Sequence, residues 1–330
     1  MDGKKRILSG MRPTGALHMG NYLGALTNWV AMQDQYDCFY FVADWHALTT
    51  DYENPRSMQT FVHELVLDWL SSGLSPEKST LFIQSRIPEH AELFLILSMI
   101  TPVPWLERNP TYKDQILQLQ NKDLSTFGFL GYPVLQAADI IMYKAQGVPV
   151  GVDQVPHVEI TREIARRFNF LYTPVFPEPE AILTHTPKIL GTDRRKMSKS
   201  YGNAIFLSDT PEQVRSKVMQ MITDPQRAKR SDPGDPDICN VYEFHKLYTR
   251  PADAAQIHAQ CRGAQIGCVE CKKAMGGNLI QALGPIHEKR RYYQEHPEMI
   301  TEIIAAGSCK AAQVAKQTMQ EVRAALKITY

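Results

Sequence analysis

The chain is expected to fold as an α/β protein: a doubly wound parallel sheet, interrupted by an inserted segment and followed by an all-helical domain. Three observations predict this. Four short apolar runs, at residues 6–9, 38–43, 80–84 and 148–152, read as strands. The spacers between the first three carry helical patterns, and strand–helix–strand alternation argues for a parallel sheet with helices on both faces. From Thr210 to about Tyr293 the pattern is helical, with polar breaks such as Ser231-Asp232-Pro233-Gly234-Asp235-Pro236.

The first strand runs into Gly10-Met11-Arg12-Pro13-Thr14-Gly15, and a helix opens near Gly20 and continues to about Gln33. Gly10, Gly15 and Gly20 lack a Cβ, so backbone can approach a ligand closely there. A helix N-terminus after such a turn offers free N–H groups to phosphates, and His18 and Asn21 add two neutral donors. A structural turn with a surface histidine would look the same. The next helix takes Asn54 as cap and Pro55 as first residue. It places Met58, Phe61, Val62, Leu65 and Trp69 on one face and stops near Gly73.

Between residues 86 and 131 the alternation breaks, as an insertion between two halves of a sheet would break it. The insertion holds Thr101-Pro102-Val103-Pro104-Trp105 and Tyr112-Lys113-Asp114-Gln115. The helix from Tyr132 to Tyr143 follows, apolar except for Gln136 and Asp139. A buried carboxylate is costly unless partnered, so Asp139 either turns to solvent, bonds to nearby backbone, or meets a donor in an apolar slot. After the fourth strand, Gly151-Val152-Asp153-Gln154 read alone is a capping turn. The helix beyond it carries Ile160, Ile164 and Phe168 on one face. Lys196-Met197-Ser198-Lys199-Ser200 sets two lysines in a small loop, where they can clamp a polyphosphate as point charges or simply be solvated. A final helix with a stripe of Val314, Thr318, Val322 and Leu326 is expected to return to the sheet domain. The expected domains are therefore 1–200 (insertion 86–131), 201–297 and 298–330.

The 330 residues are 44% hydrophobic and 22% charged, ordinary globular values with enough apolar content for a large core. A formal net charge of +1, from 36 basic and 35 acidic residues, leaves any RNA surface to local patches such as Arg227 with Lys229 and Arg230, or Lys272-Lys273. No apolar run is long enough to span a bilayer and no signal peptide stands at the N-terminus, so a cytoplasmic protein without membrane partners is expected. Six cysteines in a chain of this length do not suggest a secreted disulfide scaffold. Four of them, Cys239, Cys261, Cys268 and Cys271, fall in one block with spacing C-x21-C-x6-C-x2-C. That spacing is compatible with structural Zn²⁺ and with a [4Fe–4S] cluster.

His18-x-Gly20-Asn21 near the N-terminus, followed far down the chain by Lys196-Met197-Ser198-Lys199-Ser200, resembles the class I aminoacyl-tRNA synthetases. The wording from Ser9 to Leu26, including Gly20-Asn21-Tyr22-Leu23-Gly24-Ala25-Leu26, resembles the tryptophanyl branch. Asn21 stands where the signature usually has a histidine. The resemblance implies a Rossmann-like catalytic domain, an inserted segment that pairs subunits into a homodimer, and a helical domain that faces the tRNA anticodon. It implies a two-step reaction with ATP and Mg²⁺. The carboxylate of tryptophan attacks the α-phosphate, and the aminoacyl group then passes from the adenylate to tRNA(Trp).

In that scheme His18, Asn21, Lys196 and Lys199 are catalytic, through phosphate contact. Met11, Arg12, Thr14, Gly20, Gly151, Asp153, Gln154, Ile189, Met197 and Ser198 belong with ATP. Leu8, Val42, Tyr132, Gln136 and Gln154 belong with tryptophan, and Asp139 accepts from the indole N–H. Gln115 stands where the family often has a lysine, and Gln136 where some relatives have Met. For the cysteines, a subset of bacterial tryptophanyl synthetases carries a similar block with a [4Fe–4S] cluster, which favours that choice over zinc. Two other readings compete: a tyrosyl-tRNA synthetase, and a non-catalytic tRNA-binding or redox-sensing paralogue.

Overall fold

A computed structural model describes residues 3–53, 55–110, 112–113, 123–184 and 189–329. Asn54, Asp114 and Gln115 lie outside the described residues. Five strands form one parallel sheet: β1 Arg6–Met11, β2 Asp37–Val42, β3 Ser79–Ile83, β4 Gly147–Val150 and β5 Glu180–Leu183. Their order is β3-β2-β1-β4-β5. The chain winds from β1 outward to β3, then returns to β4 on the other side of β1. The order therefore reverses between β1 and β4, and ligands of such sheets sit beyond the carboxyl ends at that point.

The inner strands are apolar on both faces because both are covered. Phe39 and Phe41 of β2 meet Phe82 of β3 on one face. Tyr40 points to the other, stacked on Trp29 at 4.5 Å with Trp69 edge-on to Trp29. The first face carries the main core, joined by Val134, Ala138, Ile141, Ile164 and Phe168 from the helices Phe127–Met142 and Val155–Leu171. The helix Pro297–Leu326 adds Ala311, Ala315, Met319 and Val322.

Several local expectations are corrected. Gly10 does not leave room for a ligand: a Cβ there would lie 2.4 Å from the Phe41 ring, so its missing side chain serves packing between β1 and β2. Phe61 is 36% exposed, while Leu65 and Trp69 are fully buried. The last helix buries the Ala311–Ala315–Met319–Val322 face, and Val314 and Leu326 lie at its margins. The helix after β1 opens at Met19–Asn21 but contains a π-helical stretch, Tyr22–Leu26, before Thr27–Met32.

The chain divides into two compact units. One comprises Met1–Gly15, Asn28–His185 and Glu295–Tyr330, and the other Ala16–Thr27 and Thr186–Gln294. The boundary expected at residue 200 is thus drawn differently. Backbone hydrogen bonds from Met19 N–H to Ile205 O and from Leu207 N–H to Leu17 O, both 2.9 Å, tie 17–19 to the segment after the lysine loop. Within the second unit the principal helices are Pro211–Gln220, Asn240–Tyr248, Pro251–Arg262 and Cys268–Glu295.

Candidate active site

In the second unit an antiparallel bridge ties His18 to Phe206, a few residues past the lysine loop, and Gly20 faces Met197 of that loop. His18 caps the first helical turn reciprocally with Asn21. Its Nδ1 accepts from the Asn21 N–H at 3.3 Å, and its own N–H donates to Asn21 Oδ1 at 3.2 Å. Because Nδ1 is an acceptor, the neutral ring carries its proton on Nε2. Burial, then the positive charges of Lys199 and Lys196, hold the His18 pKa down at about 4. The imidazole is therefore a neutral N–H donor beside two lysines at pH 7. A Cβ on Gly20 would stand 3.0 Å from the His18 ring and 3.7 Å from Met197 Cβ, so Gly20 lets the helix turn fit between them.

The lysine loop is stapled by a residue that sequence reading passed over. Buried Asn203 donates from Nδ2 to Asp193 Oδ1 at 2.7 Å and to Lys196 O at 3.2 Å. Its Oδ1 accepts the Ser198 N–H at 2.8 Å. Leu190 and Lys196 pair in a bridge, and Met197 N–H reaches Ile189 O at 3.4 Å. Ile189 and Met197 are buried, Ser198 and Lys199 half-buried, and Lys196 exposed. The loop backbone is thus fixed while Lys196 remains at the surface. The only signal for Asn203 was its place three residues after the lysine motif.

In the first unit the residues at the carboxyl ends of the strands form two groups. After β1, Arg12 Nη2 donates to Asp51 Oδ2 at 3.0 Å and to Thr50 Oγ1. Gly15 has φ +92°, which favours glycine. Met11 is half-buried and Thr14 exposed. After β4, Gly151 is half-buried and Asp153 exposed, with Gln154 Nε2 on Asp153 Oδ2 at 3.1 Å.

The second group surrounds Asp139. Its carboxylate is fully buried, which excludes the solvent-facing alternative. Oδ1 accepts from His90 Nδ1 at 2.6 Å and Gln84 Nε2 at 2.8 Å. Oδ2 accepts from His46 Nε2 at 2.7 Å and Gln84 Nε2 at 2.9 Å. Burial opposes its charge, and the hydrogen bonds from His46 and His90 overcome that cost and hold the carboxyl below its usual range. Tyr132 is buried with its hydroxyl 3.4 Å from His157 Nε2. Leu8 and Val42 are buried, Leu8 within the main core, and Gln136 is half-buried on the Asp139 helix. Sequence reading missed Gln84, His46, His90 and His157. Gln84 and His46 carried one signal, their place just past the ends of β3 and β2.

The four clustered cysteines lie within electrostatic reach of one another. The Cys271 thiol is pushed up to about 12 by burial and by its neighbours Cys239, Cys261 and Cys268. Arg227 Nη1 stands 3.8 Å from both Cys261 Sγ and Cys268 Sγ, with Nη2 held by the carbonyls of Arg230 and Ile266 at 2.8 Å. Among the described residues, however, no group of three or more His, Cys, Asp or Glu is spaced to hold a metal ion, so the expected ligand set is not assembled. In kind and number the four thiols match a Cys₄ centre.

The profile of the family "tRNA synthetases class I (W and Y)" matches residues 2–284. The chain is 53% identical over 327 residues to the tryptophan–tRNA ligase of Thermotoga maritima, with 98% of this chain and 100% of the relative covered. It is 46% identical over 393 aligned positions to that of Aquifex aeolicus, with the same coverage. The crystal structure of tryptophanyl-tRNA synthetase from Campylobacter jejuni complexed with ADP and tryptophan superposes with a TM-score of 0.90 at 32% identity, covering 98% of this chain and 99% of that one. The chain therefore belongs to the class I aminoacyl-tRNA synthetases of the tryptophan and tyrosine type, and within them it groups with the tryptophan–tRNA ligases.

Proposed function

We propose that the chain joins tryptophan to tRNA(Trp) through a tryptophanyl-adenylate, with the named side chains dividing the work as follows. A carboxylate is already a nucleophile, so the first step needs positioning and charge stabilisation rather than a general base. The neutral Nε2–H of His18, the side chain of Asn21 and the ammonium groups of Lys196 and Lys199 stabilise the phosphates and the departing pyrophosphate. Arg12, Thr14, Gly20, Gly151, Asp153, Met197 and Ser198 seat the nucleotide, and Mg²⁺ neutralises phosphate charge through phosphate oxygens and water. Tyr132 and Gln154 hold the amino acid, and Asp139 accepts the indole N–H. The observation that carries this reading is the packing of Gly20 against Met197, which brings the neutral His18 donor within electrostatic reach of Lys199 and Lys196.

The test is amino-acid-dependent pyrophosphate exchange. Lys196→Ala and Lys199→Ala should each lower its rate on the order of 10²-fold, the usual loss for one positioned charge donor, with smaller changes in the KM for tryptophan. Parental rates in both would refute the assignment.

Two further features belong to the reading. The protein acts as a homodimer through the inserted segment. Leu95, Met99, Val103 and Phe127 in this region are 56%, 72%, 50% and 69% exposed, which supports an apolar contact surface. Trp105 of the same segment is half-buried under the guanidinium of Arg167. Cys239, Cys261, Cys268 and Cys271 would be the ligands of a [4Fe–4S] cluster, with structural Zn²⁺ as the competing occupant, and either would serve a structural role. The cleft beside Cys268, lined by Arg227, Lys229, Arg230 and Lys273, supports an RNA-facing surface. The protein works in the cytoplasm.

A further inference from the structure

The hydrogen bonds around Asp139 have a direction. Gln84 is oriented at both ends: its Oε1 accepts the Trp45 N–H at 3.2 Å, which is shared with Asp44 Oδ1 at 3.1 Å, and its Nε2 faces the carboxylate, where a flipped amide would set oxygen against oxygen. On the other side, the fully buried His90 bridges Asp139 and the equally buried Tyr143, whose hydroxyl lies 2.7 Å from His90 Nε2. Burial, and then the charge of Asp139, keep the Tyr143 phenol neutral. A phenol that keeps its proton has an O–H to give to His90 Nε2, the arrangement that leaves the His90 Nδ1–H to point at Asp139. An ionised carboxylate accepts at about four positions; here His90 takes one oxygen, His46 the other, and Gln84 Nε2 spans both. A ligand N–H reaching this crowded carboxylate competes with one of the three donors. His90 and Gln84 are fully buried, whereas the His46 side chain is 12% exposed.

We propose that Tyr143 and His90, with Gln84, are positioning residues that keep Asp139 an acceptor only, and that His46 is the donor a ring N–H displaces from it. Specificity for an amino acid bearing a ring N–H then follows. A ring without that donor leaves the carboxylate one bond short once His46 has moved, and an unmet buried acceptor is costly. The inference rests on the reading of Asp139 as the indole acceptor.

The experiment compares pyrophosphate exchange with tryptophan and with β-(3-benzothienyl)alanine, its isostere with sulfur in place of the ring N–H. The quantity read is the ratio of the two kcat/KM values. The parent should favour tryptophan by more than tenfold. Tyr143→Phe and His90→Asn, the latter keeping a donor toward Asp139 but not the link to Tyr143, should each lower that ratio roughly tenfold, mainly through the KM for tryptophan. His46→Ala should keep the parental ratio within about twofold, since the residue it removes is the one displaced. Equal losses for both amino acids in Tyr143→Phe and His90→Asn would make the relay merely structural and overturn the proposal. Loss of the ratio in His46→Ala would overturn the exchange. A parental ratio near one would instead overturn the reading of Asp139, whatever the variants do.

Discussion

At the scale of single residues, burial sets the charge states. His18 and His157 are both pushed down to about 4 from 6.5, in each case first by burial and then by nearby positive or titratable groups. Between pH 6.5 and about 4 the unfolded chain therefore binds protons at these positions that the folded chain does not. Stability must then rise with pH across this window and fall on acidification. Urea midpoints measured at pH 7.5 and pH 5 should drop toward the acid side, and His157→Asn should make the drop smaller. A midpoint that rises on acidification, or a slope unchanged in the variant, would contradict the assignment. The same depression keeps His18 a neutral donor at physiological pH, as phosphate contact beside Lys196 and Lys199 requires.

At the scale of elements, the inserted segment makes the sharpest prediction. Met99, on the helix Glu89–Ile100, is among the most exposed large apolar side chains described. Met99→Glu places a charge in the proposed subunit contact, and light scattering at micromolar concentration should find the parent dimeric and the variant largely monomeric. A monomeric parent would refute the contact. The sheet itself was legible because strands covered on both faces must be continuous apolar runs, and β1 to β4 lie within two residues of where those runs stood. β5 was not legible. It is four residues long, sits at the edge, is only partly buried, and follows Pro174, Pro177 and Pro179. The site divides in the same way. His18, Asn21 and the lysine loop are local words and could be read as such. Gln84 and His90 reach Asp139 across 55 and 49 residues of chain, a proximity only the fold creates. Gly10 shows the converse error, since an absent side chain marks close approach but not what approaches.

At the scale of the whole molecule, the two reaction steps separate in their demands. Adenylate formation needs ATP and tryptophan only, and transfer needs the RNA as well. Cys268→Ser combined with Cys271→Ser should impair tRNA charging and leave pyrophosphate exchange nearly intact, and the parent purified anaerobically should be brown and contain iron. Colourless anaerobic protein with one tightly bound zinc per chain would replace the cluster by zinc and keep the ligands. The central claim is that this chain activates tryptophan, and pyrophosphate exchange measured with each of the twenty amino acids in turn tests it most directly. Tryptophan alone should support exchange well above background. Exchange driven equally well by tyrosine or phenylalanine, or absent with tryptophan, would contradict the account.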